Sequence, residues 1–411
     1  MTALLIALVL QDPAARVAEL APGLEAKEVA RVYRAVERLA ELGEPAAALL
    51  EARAKDAPEP ARPYYLLAAD EARRSSTLPD GGRARRFTIT YAPQDLGTLL
   101  TDFRRRTGAR FSIGPLAGAE LPDVGVELKE ASFGEALHAI ARAAKMIPLQ
   151  ESEQFYFEPS PAELPTFTYA GYLLQLRGYN QRKIVDFRRP ARCRLKLGLD
   201  VFCDPAFRVV AKGPAEVTAC VDDQGRKLAP LVREARKPDD ERFAEDEEFL
   251  GESSMPIDLE APAGGIAQVA CLRGFIRVKI ARASAVLAID RPAAGSAARK
   301  DGFELIMKET DPEQARLNLE LASPGRKPAE FRDLPVQVTA FDKSGEQMTS
   351  HLEIDRSSDV LKIAVYCEPY QDAPAPAPQR PLLKISRIEV SVAVDCLDRR
   401  VPFEFRDLKI R

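Results

Sequence analysis

The sequence predicts a multi-domain α+β protein, and three observations support that prediction. Residues 14–75 are rich in Ala, Leu, Glu and Arg, which favour helices. Residues 86–159 show strand and helix patterns in the order β-α-β-β-α-β. From residue 166 onward, short alternating runs of polar and apolar residues are separated by turn signals, which is typical of strands. A chain of 411 residues is long enough to contain several such domains.

The helical region, residues 14–75, contains one clear apolar stripe followed by a break. The residues of the stripe recur at helical spacing and are Val29, Val32, Tyr33, Val36, Leu39 and Ala40. Gly43 and Pro45 end this helix, and another begins at Ala46. The pattern is that of a HEAT-like hairpin, but a solenoid needs about three repeats to be stable. We therefore expect these helices to pack against the neighbouring domain.

The β/α pattern of residues 86–159 begins with an alternating strand over 87–91. A helix follows whose apolar residues lie at i, i+3, i+4 and i+7, and Gly108 is placed to end it. Two more strands are predicted around Phe111 and over 124–128. Ser132 and Glu135 then predict a capping box for a second helix. A strand at 155–157 closes the segment.

This segment resembles the short N-terminal domain of secretins and TonB-dependent receptors, and we call it the STN-like segment. The likeness rests on the opening strand, Asp95-Leu96-x-x-Leu99-Leu100-x-x-Phe103, Thr107-Gly108 and Val126-x-Leu128-x-x-x-Ser132-Phe133-x-Glu135-Ala136-Leu137. The resemblance implies a split β/α fold that makes protein–protein contacts and carries no catalytic residue. The sequence that follows has no barrel or secretin segment, so the resemblance gives no expectation of a pore or receptor.

The second half of the chain predicts two immunoglobulin-like β-sandwiches, over 166–291 and 302–411, with a linker at 291–301. The turn sequences Asp222-Asp223-Gln224-Gly225 and Asp342-Lys343-Ser344-Gly345 come at similar points after a strand, which suggests a duplication. This half also resembles the C-terminal regions of uncharacterised exported bacterial proteins. That resemblance implies an architecture and no activity.

The apolar run over residues 3–10 bears on location. It is too short to span a bilayer, which needs about 20 residues. It fits the apolar core of a signal sequence over 1–11, although a basic n-region and a clean cleavage site are missing. The alternative is that it forms the first turns of a buried helix. We expect a periplasmic or extracellular protein without a transmembrane span.

Charge and cysteine usage limit the partners and cofactors. The net charge of −3 gives no basic surplus for nucleic acid, which we do not expect as a partner. There is no C-x-x-C spacing and there are only two histidines, so we expect no metal and no other cofactor. Cys367 and Cys396 end two strands that could be neighbours. They are the candidate disulfide pair if the protein is exported.

The sequence predicts no catalytic residue. His138 lies one position off the apolar stripe of its helix, so we expect it at the surface or the helix edge, without a nucleophile or carboxylate partner. His351 receives the same interpretation. Neither a G-x-S-x-G motif nor a phosphate-binding glycine loop occurs. We expect a non-enzymatic protein whose STN-like segment contacts an unknown envelope protein or a second copy of the chain.

The alternative function is a surface ligand-binding module on the sandwich loops, for carbohydrate or calcium. Carboxylates cluster at residues 239–248, but their spacing fits no EF-hand, and a solvated acidic loop is the simpler interpretation. One aromatic stretch could stack on sugars, although filling of the core explains it better. Its members are Phe167, Tyr169, Tyr172, Tyr179 and Phe187.

Overall fold

The computed structural model describes residues 12–75, 84–113, 121–151, 154–160, 162–184, 192–231, 254–311, 316–326, 334–345, 348–356, 360–368 and 385–410. The chain forms two compact units. The first unit comprises Met1–Arg208, Lys212–Val278 and Arg399–Arg411, and the second comprises Val209–Ala211 and Lys279–Asp398. The candidate signal sequence at 1–11, the acidic run at 239–248 and Phe187 lie outside the described residues.

The secondary structure is mixed, with strands predominating. The helices of the described part are α1 (Pro13–Leu20), α2 (Val29–Ala40), α3 (Glu44–Asp56), α4 (Arg62–Ser75), α5 (Leu96–Thr107) and α6 (Phe133–Ala144). The strands of the first half are β1 (Arg86–Asp95), β2 (Arg110–Ile113), β3 (Asp123–Ser132), β4 (Met146–Glu151), β5 (Gln154–Pro159), β6 (Thr166–Tyr169), β7 (Tyr172–Ile184), β8 (Arg192–Cys203), β9 (Val209–Asp222) and β10 (Ala229–Pro230). The remaining strands are β11 (Met255–Ala261), β12 (Gln268–Asp290), β13 (Ala297–Lys300), β14 (Phe303–Asp311), β15 (Arg316–Ala322), β16 (Val336–Phe341), β17 (Thr349–Asp355), β18 (Leu361–Glu368) and β19 (Arg387–Lys409). The predicted α+β class is confirmed.

The helical region of the first unit follows the predicted pattern. Helix α2 buries the predicted stripe except Val29, which is half-buried. Gly43 adopts a φ of 71°, a conformation that glycine reaches without strain, and Pro45 stands at the start of α3. Helix α2 packs against β6, and its Arg34 donates a hydrogen bond to Glu135 of the STN-like segment at 3.2 Å.

The STN-like segment contains the predicted elements and one more strand. β1 pairs with β3 in an antiparallel two-stranded sheet, and β2, β5 and β4 form a three-stranded sheet in which β2 and β5 are parallel. The additional strand is β4. Gly108 ends α5 in the left-handed conformation, and the Ser132–Glu135 capping box begins α6. The apolar core lies between the sheets and also contains Leu173 and Phe202 from the strands that follow.

A five-stranded antiparallel sheet, in the order β10-β11-β8-β7-β6, completes this part of the first unit. Helix α6 contacts its strands β6, β7 and β8. Gly134 makes this approach close, because a Cβ added at Gly134 would lie 2.3 Å from the carbonyl oxygen of Tyr172. One side of the STN-like segment is therefore buried inside the first unit.

The second unit has an apolar core between two sets of strands. A five-stranded sheet has the order β13-β14-β15-β18-β17, and β16 pairs with β19. Ile363, Val390 and Leu319 are among the core residues. The turn at Asp342 is formed as predicted, with Gly345 at a φ of 81°. The predicted linker differs, because Ala297–Lys300 is a strand of this sheet.

The boundaries of the two units also differ from the predicted domains. β12 and β19 are each 23 residues long and contribute residues to both units, and a four-stranded sheet has the order β16-β19-β12-β9. β19 runs without a break through the polar stretch at 395–400. Residues from Lys279 onward, predicted in the first sandwich, therefore belong to the second unit, and Arg399–Arg411, predicted in the second sandwich, belong to the first unit.

Candidate functional site

A buried polar region of the first unit surrounds Glu404 on β19. Its carboxylate accepts hydrogen bonds from the Tyr64 hydroxyl at 2.8 Å, from Arg273 Nε at 3.0 Å and from Arg406 Nε at 2.7 Å. Tyr33 donates a longer bond of 3.3 Å. Burial alone would raise the pKa of Glu404, but the charge of Arg273 and the donated hydrogen bonds together hold it below its ordinary range. We call these five residues the Glu404 cluster.

A second buried carboxylate, Glu37, joins three parts of the first unit. Its oxygens accept a hydrogen bond from the backbone N–H of Ala170 at 2.7 Å and one from Arg86 at 2.7 Å. Glu37 lies on α2, Arg86 opens the STN-like segment, and Ala170 lies in the turn after β6. Burial raises the pKa of Glu37 from its ordinary value of 4.5 to about 7, and Arg86 offsets only part of that rise.

The raised pKa of Glu37 predicts a pH-dependent stability. The folded chain holds a proton on this carboxyl between about pH 4.5 and 7 that the unfolded chain releases. The free energy of unfolding should therefore fall as the pH rises through this window, by up to about 3 kcal/mol. Urea unfolding at intervals across the window should show this slope in the wild type and a smaller slope in Glu37→Gln.

Glu41→Gln is the matched control, since Glu41 also contacts Arg86 but its side chain is 58% exposed. This variant should keep the wild-type slope. If the free energy of unfolding of Glu37→Gln depends on pH as that of the wild type does, the proton taken up between pH 4.5 and 7 is not on Glu37.

A third buried carboxylate, Glu71 on α4, accepts a hydrogen bond from the Tyr169 hydroxyl at 3.1 Å. Burial raises its pKa. In the Glu404 cluster and at Glu37 and Glu71, the carboxylates are occupied by arginine, tyrosine or backbone donors of the same unit. These contacts stabilise the packing of the helical region, and they leave no free acid and base pair in these groups.

One cavity of the first unit, of about 190 Å³, adjoins the Glu404 cluster. Three arginines line it, Arg74, Arg273 and Arg400. Arg273 is paired with Glu404, and Arg400 lies 4.5 Å from the centre of the Phe275 ring. The hydroxyl of Thr218 donates to the backbone oxygen of Arg273 at 3.2 Å. The lining also contains Asp70 and Glu71, which pair with Arg74, so its charged groups are already engaged by protein groups.

A larger cavity of the first unit, about 350 Å³, lies beside His138, and we call it the His138 cavity. Its walls come from α6 and its C-cap, from β4, from the connection at 160–164 and from the β6–β7 hairpin. The residues that line it are His138, Ala141, Arg142, Lys145, Met146, Ile147, Pro148, Ser160, Ala162, Glu163, Leu164, Thr166 and Gln175. A cavity of this size falls within the range of small-molecule sites.

His138 is half-buried in this cavity wall, at the edge of α6. Burial lowers the pKa of His138, the charge of Arg142 lowers it further, and Glu163 opposes them. Because the pKa of His138 lies below its ordinary value of 6.5, the imidazole is neutral at pH 7. The nearby hydroxyl of Ser160 donates to the backbone oxygen of Ala162 at 2.6 Å, so it is engaged elsewhere. His351 lies on β17 opposite Tyr366 in the second unit.

The cysteines are free thiols in the structure. Cys367 lies on β18 and Cys396 on β19, which belong to different sheets, so the expectation that their strands are neighbours is wrong. Burial raises the pKa of both thiols. A raised pKa keeps the thiol protonated and therefore weakly nucleophilic. Over the described residues, no group of three or more His, Cys, Asp or Glu is placed to hold a metal.

The aromatic stretch is explained by the core, as expected. Phe167, Tyr169 and Tyr172 are buried, and Tyr179 is half-buried. Buried rings are not available to stack on a sugar. The turn at Asp222 is formed, with its carboxylate bonded to the backbone N–H groups of residues 224 and 226.

The burial of the three carboxylates and of Gln175 was not predicted from the sequence. Glu37 directly follows the apolar residue Val36, and Gln175 stands between Leu174 and Leu176. A polar residue inside an apolar run was the available signal. The burial of Gln175 depends on the cover over both faces of β7, and that of Glu37 on its contacts with Arg86 and Ala170, which are distant in the sequence.

The comparisons with known proteins identify no family. No protein-family profile matches the chain, and no curated protein matches it. Among solved structures, one that matches is described as the crystal structure of the conserved domain protein from Bacillus anthracis. It has 9% sequence identity and a TM-score of 0.18, with 59% of this chain and 89% of that chain covered. A likeness this low supports no conclusion about fold or function.

No helix in the described part of the chain has the length and apolar character needed to cross a membrane.

Proposed function

We propose that the protein is a non-enzymatic component of the bacterial envelope that makes protein–protein contacts through its STN-like segment. The observation that carries the proposal is the two-stranded sheet of β1 and β3. In the described residues each strand has a single hydrogen-bonded neighbour. Strands with an open edge can accept a further strand from another chain.

The orientation of the segment supports the proposal. α6 is covered by the β6–β8 strands of the same unit, so the β1–β3 sheet is the side that faces outward. Its outer residues are polar and exposed, among them Thr88, Thr90, Glu127 and Lys129. A polar, accessible surface of this kind suits a contact that forms and dissociates.

The arrangement of the strands favours β3 as the contact edge. β1 is interrupted near Ala92 and Pro93, where its pairing shifts register, and proline cannot donate to a neighbouring strand. On β3, the residues between Val124 and Leu128 pair with β1 in a regular register except at the shift near Ala92 and Pro93.

We also propose two details of the architecture. Residues 86–159 form a domain of the STN class, and the β-rich remainder consists of immunoglobulin-like sandwiches.

The chemistry of the candidate residues supports a non-enzymatic role. The buried carboxylates are occupied by donors of the same unit, the thiols are held protonated, and His138 has no hydrogen bond among the described residues. The alternative, calcium or carbohydrate binding on the sandwich loops, rests on residues 239–248 and has no observation in its favour in the described part of the chain.

Site-specific photo-crosslinking tests the contact. A photoreactive amino acid is placed at Glu127 in the full chain, and at the exposed loop residue Glu59 as the control. Irradiation of the purified protein, and separately of intact cells, should give a crosslinked product at Glu127 and none at Glu59. The product in purified protein identifies a second copy, and a product found only in cells identifies an envelope partner. Equal crosslinking at both positions, or none, would sink the proposal.

The location is tested by fractionation of the same cells. We expect the chain in the periplasmic or extracellular fraction, with residues near 1–11 removed on N-terminal sequencing. A chain that begins at Met1 in the cytoplasmic fraction would overturn the envelope assignment.

A further inference from the structure

Strands β9 and β12 are neighbours in the four-stranded sheet, and two hydrogen bonds define how they pair. The backbone N–H of Asp223, just past the end of β9, donates to the backbone oxygen of Gln268 at 3.3 Å. Five residues before Asp223, the hydroxyl of Thr218 donates to the backbone oxygen of Arg273 at 3.2 Å, and Arg273 lies five residues after Gln268. Equal steps in opposite directions show that the strands are antiparallel and in one register between these bonds.

This register places two cysteines opposite each other. Cys220 on β9 lies three residues before Asp223, and Cys271 on β12 lies three residues after Gln268. The backbone oxygen of Cys220 accepts a hydrogen bond at 2.9 Å from the backbone N–H of Leu228, which follows the turn after β9. The backbone polar groups of Cys220 therefore point away from β12. Cys220 and Cys271 form a non-hydrogen-bonded pair, in which the Cα atoms lie about 4.5 Å apart and the side chains share one face.

The spacing and burial of the two thiols suit a covalent bond between them. Disulfides join residues whose Cα atoms are roughly 4.4–6.8 Å apart, a range that includes the spacing of such a pair. Cys220 is 3% exposed and Cys271 is half-buried. Burial raises the pKa of Cys220 to about 12, and the nearby Cys271 contributes to that rise. The influence of one thiol on the other agrees with their placement by the register.

Three of the other cysteines face residues that are not cysteines. The pairs are Cys193 with Ala261 and Lys183, Cys203 with Tyr172, and Cys367 with Ser350. Their thiols therefore have no second thiol directly across the strand pair. Cys193 belongs to the first unit and is buried, so it provides a control for the pair on β9 and β12.

We propose that Cys220 and Cys271 form a disulfide bond when the chain meets a disulfide oxidant, such as an oxidised protein dithiol. The bond joins β9 to β12 across the sheet and closes the part of the chain that contains β10 and β11. The proposal goes beyond the function proposed above, because it depends on the register of these two strands and on no feature of the STN-like segment.

The bond forms by thiol–disulfide exchange. Cys271, the more exposed of the two, loses its proton and attacks one sulfur of the oxidant, which releases one thiol and leaves a mixed disulfide. Cys220 then loses its proton and attacks the Cys271 sulfur, which releases the second thiol of the oxidant. Two electrons and two protons pass from the cysteine pair to the oxidant, whose disulfide becomes two thiols.

Thiol counting on the full chain tests the proposal. The reduced, folded protein is kept in a buffer of reduced and oxidised glutathione, with urea below the unfolding transition so that the strands open locally. When the thiol count is constant, the reaction is stopped with acid and the thiols are titrated after denaturation. The chain has six cysteines, and we expect four thiols, since one disulfide consumes two.

Peptide mapping identifies the bonded residues. Trypsin cuts after lysine and arginine, so Cys220 falls in the peptide 213–226 and Cys271 in the peptide 243–273, each with a single cysteine. Without reduction, we expect one linked product of these two peptides, lighter than their sum by two hydrogens. Reduction should return the two separate peptides.

Three variants make the assignment specific. Cys271→Ala and Cys220→Ala each begin with five thiols and should keep all five in the same buffer. Cys193→Ala is the matched control, which also begins with five thiols and should fall to three. If Cys220→Ala does not fold, Cys271→Ala, at the half-buried position, decides the result alone.

The proposal is overturned if the wild type keeps all six thiols, or if the linked peptides contain other cysteines. It is also overturned if Cys271→Ala loses two thiols as the control does. The envelope assignment is tested separately, by fractionation. A chain found in the cytoplasm would overturn that assignment and would still form this disulfide in the glutathione buffer.

Discussion

Replacing Gly134 with alanine should destabilise the first unit by about 2 kcal/mol. The added methyl carbon would lie 2.3 Å from the oxygen and 2.5 Å from the carbon of the Tyr172 carbonyl group, and 2.9 Å from the Leu173 nitrogen. These are backbone atoms of β7, so no side-chain rotation relieves the overlap, and α6 must move. Overpacking of this kind costs about 1–3 kcal/mol, and the upper part of that range applies here. Alanine recovers about 1 kcal/mol through its better helix propensity.

The measurement is urea unfolding followed by circular dichroism, since the chain has no tryptophan. Gly264→Ala is the control, because a Cβ at Gly264 meets open space in the same unit. That variant should unfold at the wild-type midpoint. If Gly134→Ala also unfolds there, α6 does not pack on β7 as closely as the structure shows.

Replacing Glu404 with glutamine should cost about 2–4 kcal/mol. Glutamine has nearly the same shape, so the change removes the negative charge and leaves the packing. Arg273 then loses its charged partner while its side chain remains only 28% exposed, and Arg406 loses its partner as well. Breaking a buried pair by removing one member typically costs about 3–5 kcal/mol, and the partial exposure of Arg273 reduces that figure.

Glu216→Gln provides the matched control for the same substitution. Glu216 pairs with Arg277 at 2.6 Å, but the two side chains are 39% and 55% exposed. An exposed pair contributes at most about 1 kcal/mol, so this variant should differ little from the wild type. Equal losses for the two variants would show that the Glu404 cluster contributes no more than a surface pair.

The elements that the sequence predicted correctly are those defined by local chemistry. The stripe of α2, the glycine that ends α5 and the Ser132–Glu135 capping box depend on residues within a few positions of each other. The same holds for the two Asp-x-x-Gly turns. Local patterns of this kind remain valid whatever the tertiary structure.

The parts that the sequence did not predict depend on distant residues. The strand order β16-β19-β12-β9 joins segments far apart in the chain, and no local pattern specifies it. β19 also runs without a break through residues 395–400, although Arg399 and its neighbours are polar. Arg399 is nevertheless 7% exposed in the structure, where it lies against the rings of Tyr172 and Phe207 and is stabilised by the charge of Glu71.

The same limit applies to the candidate sites. His138 was correctly expected at the edge of its helix, but the cavity beside it is formed by β4, the connection at 160–164 and β7. Gln175 is buried, and its Oε1 accepts no hydrogen bond among the described residues. Neither property follows from the sequence around it.

The Glu404 cluster has a consequence for the order in which the chain acquires its structure during synthesis. Tyr33 and Glu404 are separated by 371 positions, so a ribosome has made most of the protein before the helices receive this partner. Contacts between such distant segments form late and slow the completion of folding. Until residues 399–411 have been made, the tyrosines on α2 and α4 have no carboxylate from β19 to bond. A chain truncated before residue 399 should therefore lack these bonds and have a less stable first unit than the full chain.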